Sequence, residues 1–147
     1  MEKIRLMSAA DYDGVYELWL STPGMGLNST DDSREGIEKF LARNPTTSFF
    51  AEQDGRIVGV IMAGHDGRRG YIYHTAVLPQ LRGRGIGGRL LECAMSALEA
   101  EGINKAALVA FSRNEIGNRF WESHGFAVRG DLVSRNRNIR PLERIDT

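Results

Sequence analysis

A chain of 147 residues with 19 Lys/Arg against 19 Asp/Glu, 41% hydrophobic residues and one cysteine has room for one domain, 1–147, with a real core, and none for a disulfide framework. No apolar run reaches membrane-spanning length and the N-terminus Met1-Glu2-Lys3-Ile4-Arg5 lacks a signal peptide's apolar block, so no membrane role and a cytoplasmic location are expected. The basic residues are scattered without interleaved aromatics, which argues against nucleic acid. Charge is nonetheless uneven: residues 1–55 carry ten acids and five bases, residues 56–147 nine acids and fourteen bases. An anionic cofactor on the later part and a cationic substrate near the earlier part would explain this, as would chance segregation on a solvated surface.

Lys3-Ile4-Arg5-Leu6-Met7 alternates as a short first strand, and Ser8-Ala9-Ala10-Asp11 reads as a capping box before a helix with Tyr12, Val15, Tyr16, Leu18 and Trp19 at helical spacing. A breaker-rich loop, 22–28, separates it from a second helix that starts near Asp32-Ser33-Arg34-Glu35 and ends before Asn44-Pro45. Asp54-Gly55 joins two strands, 48–52 and 56–63, as a hairpin; the polar loop Gly64–Gly70 leads to a third strand ending at Leu78. Then come a helix at about 86–101 stopped by Gly102, a strand at 105–111, a short helix at about 115–123 and a strand at 126–129. The tail, 135–144, suggests an edge strand and a frayed end. The order β-α-α-β-β-β-α-β-α-β predicts an α+β fold with a mixed, mostly antiparallel sheet.

Between the third strand and the third helix lies Leu78-Pro79-Gln80-Leu81-Arg82-Gly83-Arg84-Gly85-Ile86-Gly87-Gly88-Arg89. Glycines let backbone N–H groups approach a ligand closely, and a helix start leaves donors unpaired in a field that favours anions. A phosphate site is the functional reading; a Gly-rich connector with solvated arginines is the plain one. Gly83-x-Gly85-x-x-Gly88 fits the dinucleotide fingerprint literally, but it follows a meander and the strand after it, 105–111, has no ribose-binding acid. A P-loop is excluded because Gly88-Arg89-Leu90 lacks the Lys-Ser/Thr ending.

Arg82-Gly83-Arg84-Gly85-Ile86-Gly87 instead resembles the acetyl-CoA signature of the GNAT N-acetyltransferase superfamily. The strand 71–78 running into Pro79 resembles that family's central strand, and Asn114 with Phe120-Trp121-Glu122-Ser123-His124-Gly125-Phe126 its closing motif. The resemblance covers residues 3 to about 130. It implies helices on both faces of the sheet and acetyl-CoA as co-substrate; no Cys/His spacing suggests zinc, so no metal is expected. It also implies that the backbone donors of Arg82, Gly83, Arg84, Gly85, Ile86, Gly87 and Gly88 wrap the CoA pyrophosphate. Ala76 and Val77 would pair with the pantetheine amides, Asn114 would hydrogen-bond the cofactor, and the acetyl group would lie where strands 71–78 and 105–111 part.

Acetyl transfer to an amine needs a neutral amine, a polarised thioester and a leaving thiolate. Trp121 stands where the family pattern often places a tyrosine acid, and an indole N–H does not give up its proton near neutral pH. Either water protonates the thiolate, or another residue is the acid, or Trp121, a cofactor-site residue by the resemblance, only shapes the pocket. That departure also motivates the alternative of an acyl-CoA-binding or sensing module with little turnover. His74 is the candidate base, though a sheet histidine can equally be a satisfied core group. Tyr73 is a candidate acid; strict alternation would put it on the face opposite His74, so at most one of the two would meet the reacting centre. The stretch 108–112 lacks the carboxylate frequent in ribosomal-alanine acetyltransferases. His124 reads as a helix-end residue and Cys93 as a small buried group. Met25 and Leu27, with Trp19 nearby, are expected to line a partly apolar acceptor pocket for a small-molecule or peptide amine. Monomer and homodimer both stay open, the tail after residue 130 being a possible intersubunit edge.

Overall fold

The computed structural model describes residues 2–145. Strand β1 (Lys3–Leu6) precedes helices α1 (Tyr12–Leu20) and α2 (Arg34–Arg43); strands β2 (Phe49–Gln53), β3 (Arg56–His65) and β4 (Gly70–Val77) follow, then α3 (Ile86–Ala100), β5 (Ala106–Ala107) and α4 (Glu115–Ser123). The strands form one open sheet in the order β1-β2-β3-β4-β5, antiparallel throughout except for the parallel β4–β5 pair.

Local chemistry explains most boundaries. The Ser8 N–H donates to the Asp11 carboxylate at 2.8 Å, and Ser33 caps α2 by accepting from the Gly36 N–H at 3.0 Å. Asp54 and Gly55 both have positive φ, 52° and 77°, as a two-residue hairpin turn requires. Gly102 closes α3 at φ 81°, with Ile103 N–H returning to the Leu98 carbonyl at 3.1 Å. Helix α3 packs on one sheet face so closely that a Cβ on Gly59 would lie 3.0 Å from Leu90. Helix α1 covers the other face, where a Cβ on Gly14 would lie 2.8 Å from Ile57. Val15, Trp19, Val60, Ile61 and Leu90 form the dry centre of the resulting core.

Three expectations are corrected. The strand at 105–111 shrinks to Ala106–Ala107, after which the chain leaves the sheet. Among the described residues there is no strand at 126–129. With β5 only two residues long, there is no ladder for that segment to extend. Phe126 instead anchors on Trp121, ring centroids 5.5 Å apart, and the chain beyond is exposed. The tail makes no edge strand over 135–142; it makes one antiparallel bridge, Asn28 to Arg144, flanked by Ser29 N–H to the Glu143 carbonyl (2.8 Å) and Ile145 N–H to the Leu27 carbonyl (3.0 Å).

Candidate active site

The feature that builds the site is an extra residue in β4. Ile61 pairs with Thr75 but Ala63 pairs with Ile72, so Tyr73 and His74 together oppose Met62. Such a bulge cancels the alternation of the pleat at that point. Gly70 and Val77, seven residues apart, consequently both meet α3: a Cβ on Gly70 would lie 3.0 Å from Leu98, and one on Gly87 3.8 Å from Val77. Tyr73 and His74 share the opposite face. The Tyr73 ring lies edge-on to Phe40 of α2, centroids 5.4 Å apart, and His74 lies edge-on to Trp19 of α1 at 5.0 Å. The strict alternation that would put the two on opposite faces therefore does not hold; both line the same cavity.

That cavity, about 1030 Å³, opens where β4 and the chain after β5 part company. Its walls run from the glycine turn (Arg82, Gly83, Gly85 to Gly88) along Ala76 and Val77 to Tyr73 and His74, with Leu108 to Phe111, Asn114 and Trp121 opposite. Gly83 and Gly85 take φ of 79° and 83°, and Gly85 is the N-cap of α3, so these positions need glycine for backbone reasons before any ligand is considered. Ile86 is buried and anchors the turn to the core. Arg84 is exposed and does not belong to the wall; its carbonyl accepts from Arg89 at 3.4 Å.

Asn114 caps α4, its Oδ1 accepting from the Gly117 N–H at 2.9 Å. That bond uses the acceptor end of the amide. Trp121 packs between Phe120 and Phe126, centroids 4.9 and 5.5 Å away, and lines the cavity. Of the expected acceptor-pocket residues only Met25 lines the cavity; Leu27 and Trp19 are fully buried core. Cys93 is half-buried on α3.

Sequence reasoning missed His74's partner. The Asp32 carboxylate, its side chain 5% exposed, lies 2.7 Å from His74 Nε2. Its other oxygen accepts from the Asn28 N–H at 2.9 Å, and its carbonyl accepts from the Tyr12 hydroxyl at 2.7 Å. A carboxylate accepting at Nε2 fixes the tautomer: Nε2 carries the proton and Nδ1 is the basic atom. His124 was also read as structural only. Its Nδ1 donates to the Phe120 carbonyl at 2.8 Å, but its ring lies on the cavity wall, with Nε2 3.2 Å from where a Cβ on Gly88 would be.

Burial pushes the Tyr73 phenol above the ordinary tyrosine value, and the Asp31 charge adds to this; burial does the same for Tyr71, with Tyr73 adding to it. Tyr73 thus stays protonated across the neutral range. Proton transfer from it to a thiolate, whose ordinary pKa is about 8.5, runs uphill. Among the described residues no group of three or more His, Cys, Asp or Glu could hold a metal ion, and no helix is long and apolar enough to cross a membrane.

Residues 12–126 match the family described as acetyltransferase (GNAT). The chain belongs to the GNAT acetyltransferase family. An acetyltransferase of Photorhabdus laumondii is 35% identical over 117 residues, 77% of this chain and 78% of that one. Among solved structures, the PaiA N-acetyltransferase of Thermoplasma acidophilum in complex with coenzyme A superposes with a TM-score of 0.76 at 20% identity, covering 88% of this chain and 91% of that one. The aminoglycoside N-acetyltransferase AAC(6')-Iy, bound to a bisubstrate analogue, gives 0.74 at 19% identity over 94% and 99%. At these identities the two structures establish the GNAT fold, which the five-stranded open sheet here shares.

Proposed function

We propose that this GNAT protein transfers the acetyl group of acetyl-CoA to a primary amine of a small molecule or peptide by direct attack, with His74 as general base. One observation carries this: a single cavity joins the glycine turn at the start of α3 to the His74–Asp32 pair. The turn fits the cofactor because bare backbone and a helix start meet there, a combination suited to a diphosphate. Residues 83–88 would hold the diphosphate by backbone N–H groups, Arg82 would add a charge-assisted bond, and Ala76–Val77 would hold the pantetheine arm by main-chain groups. The Asn114 Nδ2, the end not used in capping, is a further donor.

When bound, acetyl-CoA supplies the activated acetyl thioester. The acceptor amine forms the new N–C bond as the C–S bond breaks, and His74 Nδ1 takes the amine proton. Asp32 stabilises the imidazolium that results, the same division of labour by which a buried carboxylate supports a histidine base elsewhere. Tyr73 donates a hydrogen bond within the site, and water protonates the departing thiolate, since Trp121 cannot.

Thiol release from acetyl-CoA with a panel of amines tests the proposal. Tight CoA binding with no thiol release from any amine would instead favour a binding or sensing module, the reading motivated by Trp121. Two substitutions probe the roles. Asp32→Asn is expected to lower kcat about tenfold to a hundredfold, part of the ~10²–10⁴ that a general base supplies, with CoA affinity unchanged. Tyr73→Phe is expected to lower kcat about two- to tenfold, the scale of one hydrogen bond of ~0.5–1.5 kcal/mol. A thousandfold loss would make Tyr73 the acid.

A further inference from the structure

The cavity wall carries two formally charged side chains among the described residues, Arg82 and Arg144, and no carboxylate. Arg82 belongs to the glycine turn and is accounted for by the cofactor. Arg144 sits at the other end, beside the loop 22–26, and nothing in the cofactor site uses it.

Arg144 is held there by the fold. Its backbone bridges Asn28; the Asn28 N–H donates to Asp32 at 2.9 Å; Asp32 holds His74 at 2.7 Å. The arginine and the base are thus tied to one short loop. The Arg144 guanidinium carbon lies over the Phe111 ring, 5.3 Å from its centroid, and Phe111 also receives Arg113 at 4.4 Å. A guanidinium held against an aromatic ring keeps N–H donors in a fork that suits a planar anion. Among the described residues no carboxylate is paired with Arg144. The nearby wall, Pro23, Met25 and Phe111, is apolar.

We infer that the acceptor is an amine that also carries a carboxylate, with Arg144 as the carboxylate anchor and an apolar body against Pro23, Met25 and Phe111. This rests on the acetyl-transfer reading of the cavity and narrows it to a substrate class. A polycationic acceptor fits poorly, because the wall offers its additional ammonium groups no carboxylate. No Asp or Glu of residues 1–55 lines the wall itself; Asp31 and Asp32 act on it from behind Tyr73 and His74.

Calorimetry on the CoA-saturated protein provides the test, with leucine, methionine and phenylalanine, dipeptides of the same residues, their methyl esters and an aminoglycoside as probes. The free carboxylates are expected to bind at least about tenfold more tightly than their esters, as a charge-assisted hydrogen bond requires. Arg144→Gln is expected to abolish that difference and Arg144→Lys to restore part of it. Equal or tighter binding of the esters, preference for the aminoglycoside, binding of no free carboxylate, or discrimination that survives Arg144→Gln overturns the inference. Thiol release measured alongside with acetyl-CoA separates the two readings. Arg144-dependent binding without thiol release refutes acetyl transfer alone. Thiol release indifferent to the carboxylate refutes the substrate class alone.

Discussion

His74→Gln is expected to lower kcat by about 10²- to 10⁴-fold while leaving CoA affinity within about twofold, because it removes a general base and no cofactor contact. Glutamine is the informative replacement. Its amide N–H can still donate to Asp32, whereas His74→Ala would leave a carboxylate that is 5% exposed without its partner, at a cost of several kcal/mol. The pH profile distinguishes base from scaffold. A variant without a base depends on the fraction of amine already neutral in solution. That fraction rises about tenfold per pH unit below the amine's own pKa, so the deficit should shrink as pH is raised. A deficit constant with pH would assign His74 a packing role against Trp19.

Gly85→Val is expected to weaken CoA binding at least about a hundredfold. Gly85 has φ of 83° at the N-cap of α3, a conformation that costs an L-residue roughly 1–2 kcal/mol and a β-branched one more. Relieving that strain rotates the peptide units of the turn. Stability falls as well, so a control of equal strain is needed. Gly102 supplies it: φ is 81°, nothing lies within 4 Å of a Cβ there, and it closes the other end of the same helix. Gly102→Val should lose comparable thermal stability yet bind CoA as the unsubstituted protein does. If both variants bind equally, the diphosphate lies elsewhere.

What could be read from residues alone follows the range of the interactions involved. The hairpin at Asp54-Gly55, the cap at Ser33, the stop at Gly102 and the glycine turn are all set within about four residues of chain, where positive φ and cap chemistry leave a visible mark. Asn114 was legible for the same reason, although its capping bond to Gly117 shows that one end of its amide is committed to the fold. The His74–Asp32 pair spans 42 residues, and no local pattern joins a sheet histidine to an aspartate in the loop ahead of α2. The β4 bulge was hidden too, since Tyr73-His74 contains no glycine or proline to announce it. Missing that one extra residue put Tyr73 and His74 on opposite faces. The segment 105–111 is apolar from Ala106 to Phe111, but once the bulge turns β4 away only Ala106–Ala107 can still pair, and the strand at 126–129 is lost with it. Arg144 lay in a tail without pattern, and only the bridge to Asn28 brings it to the cavity.

A crystal structure with CoA tests the central claim most directly. The diphosphate oxygens are expected within about 2.7–3.2 Å of backbone nitrogens in residues 83–88. The pantetheine should run along Ala76–Val77 and the sulfur should end beside His74, with the His74–Asp32 contact intact. A diphosphate bound away from the glycine turn, or a sulfur that ends remote from His74, would contradict it.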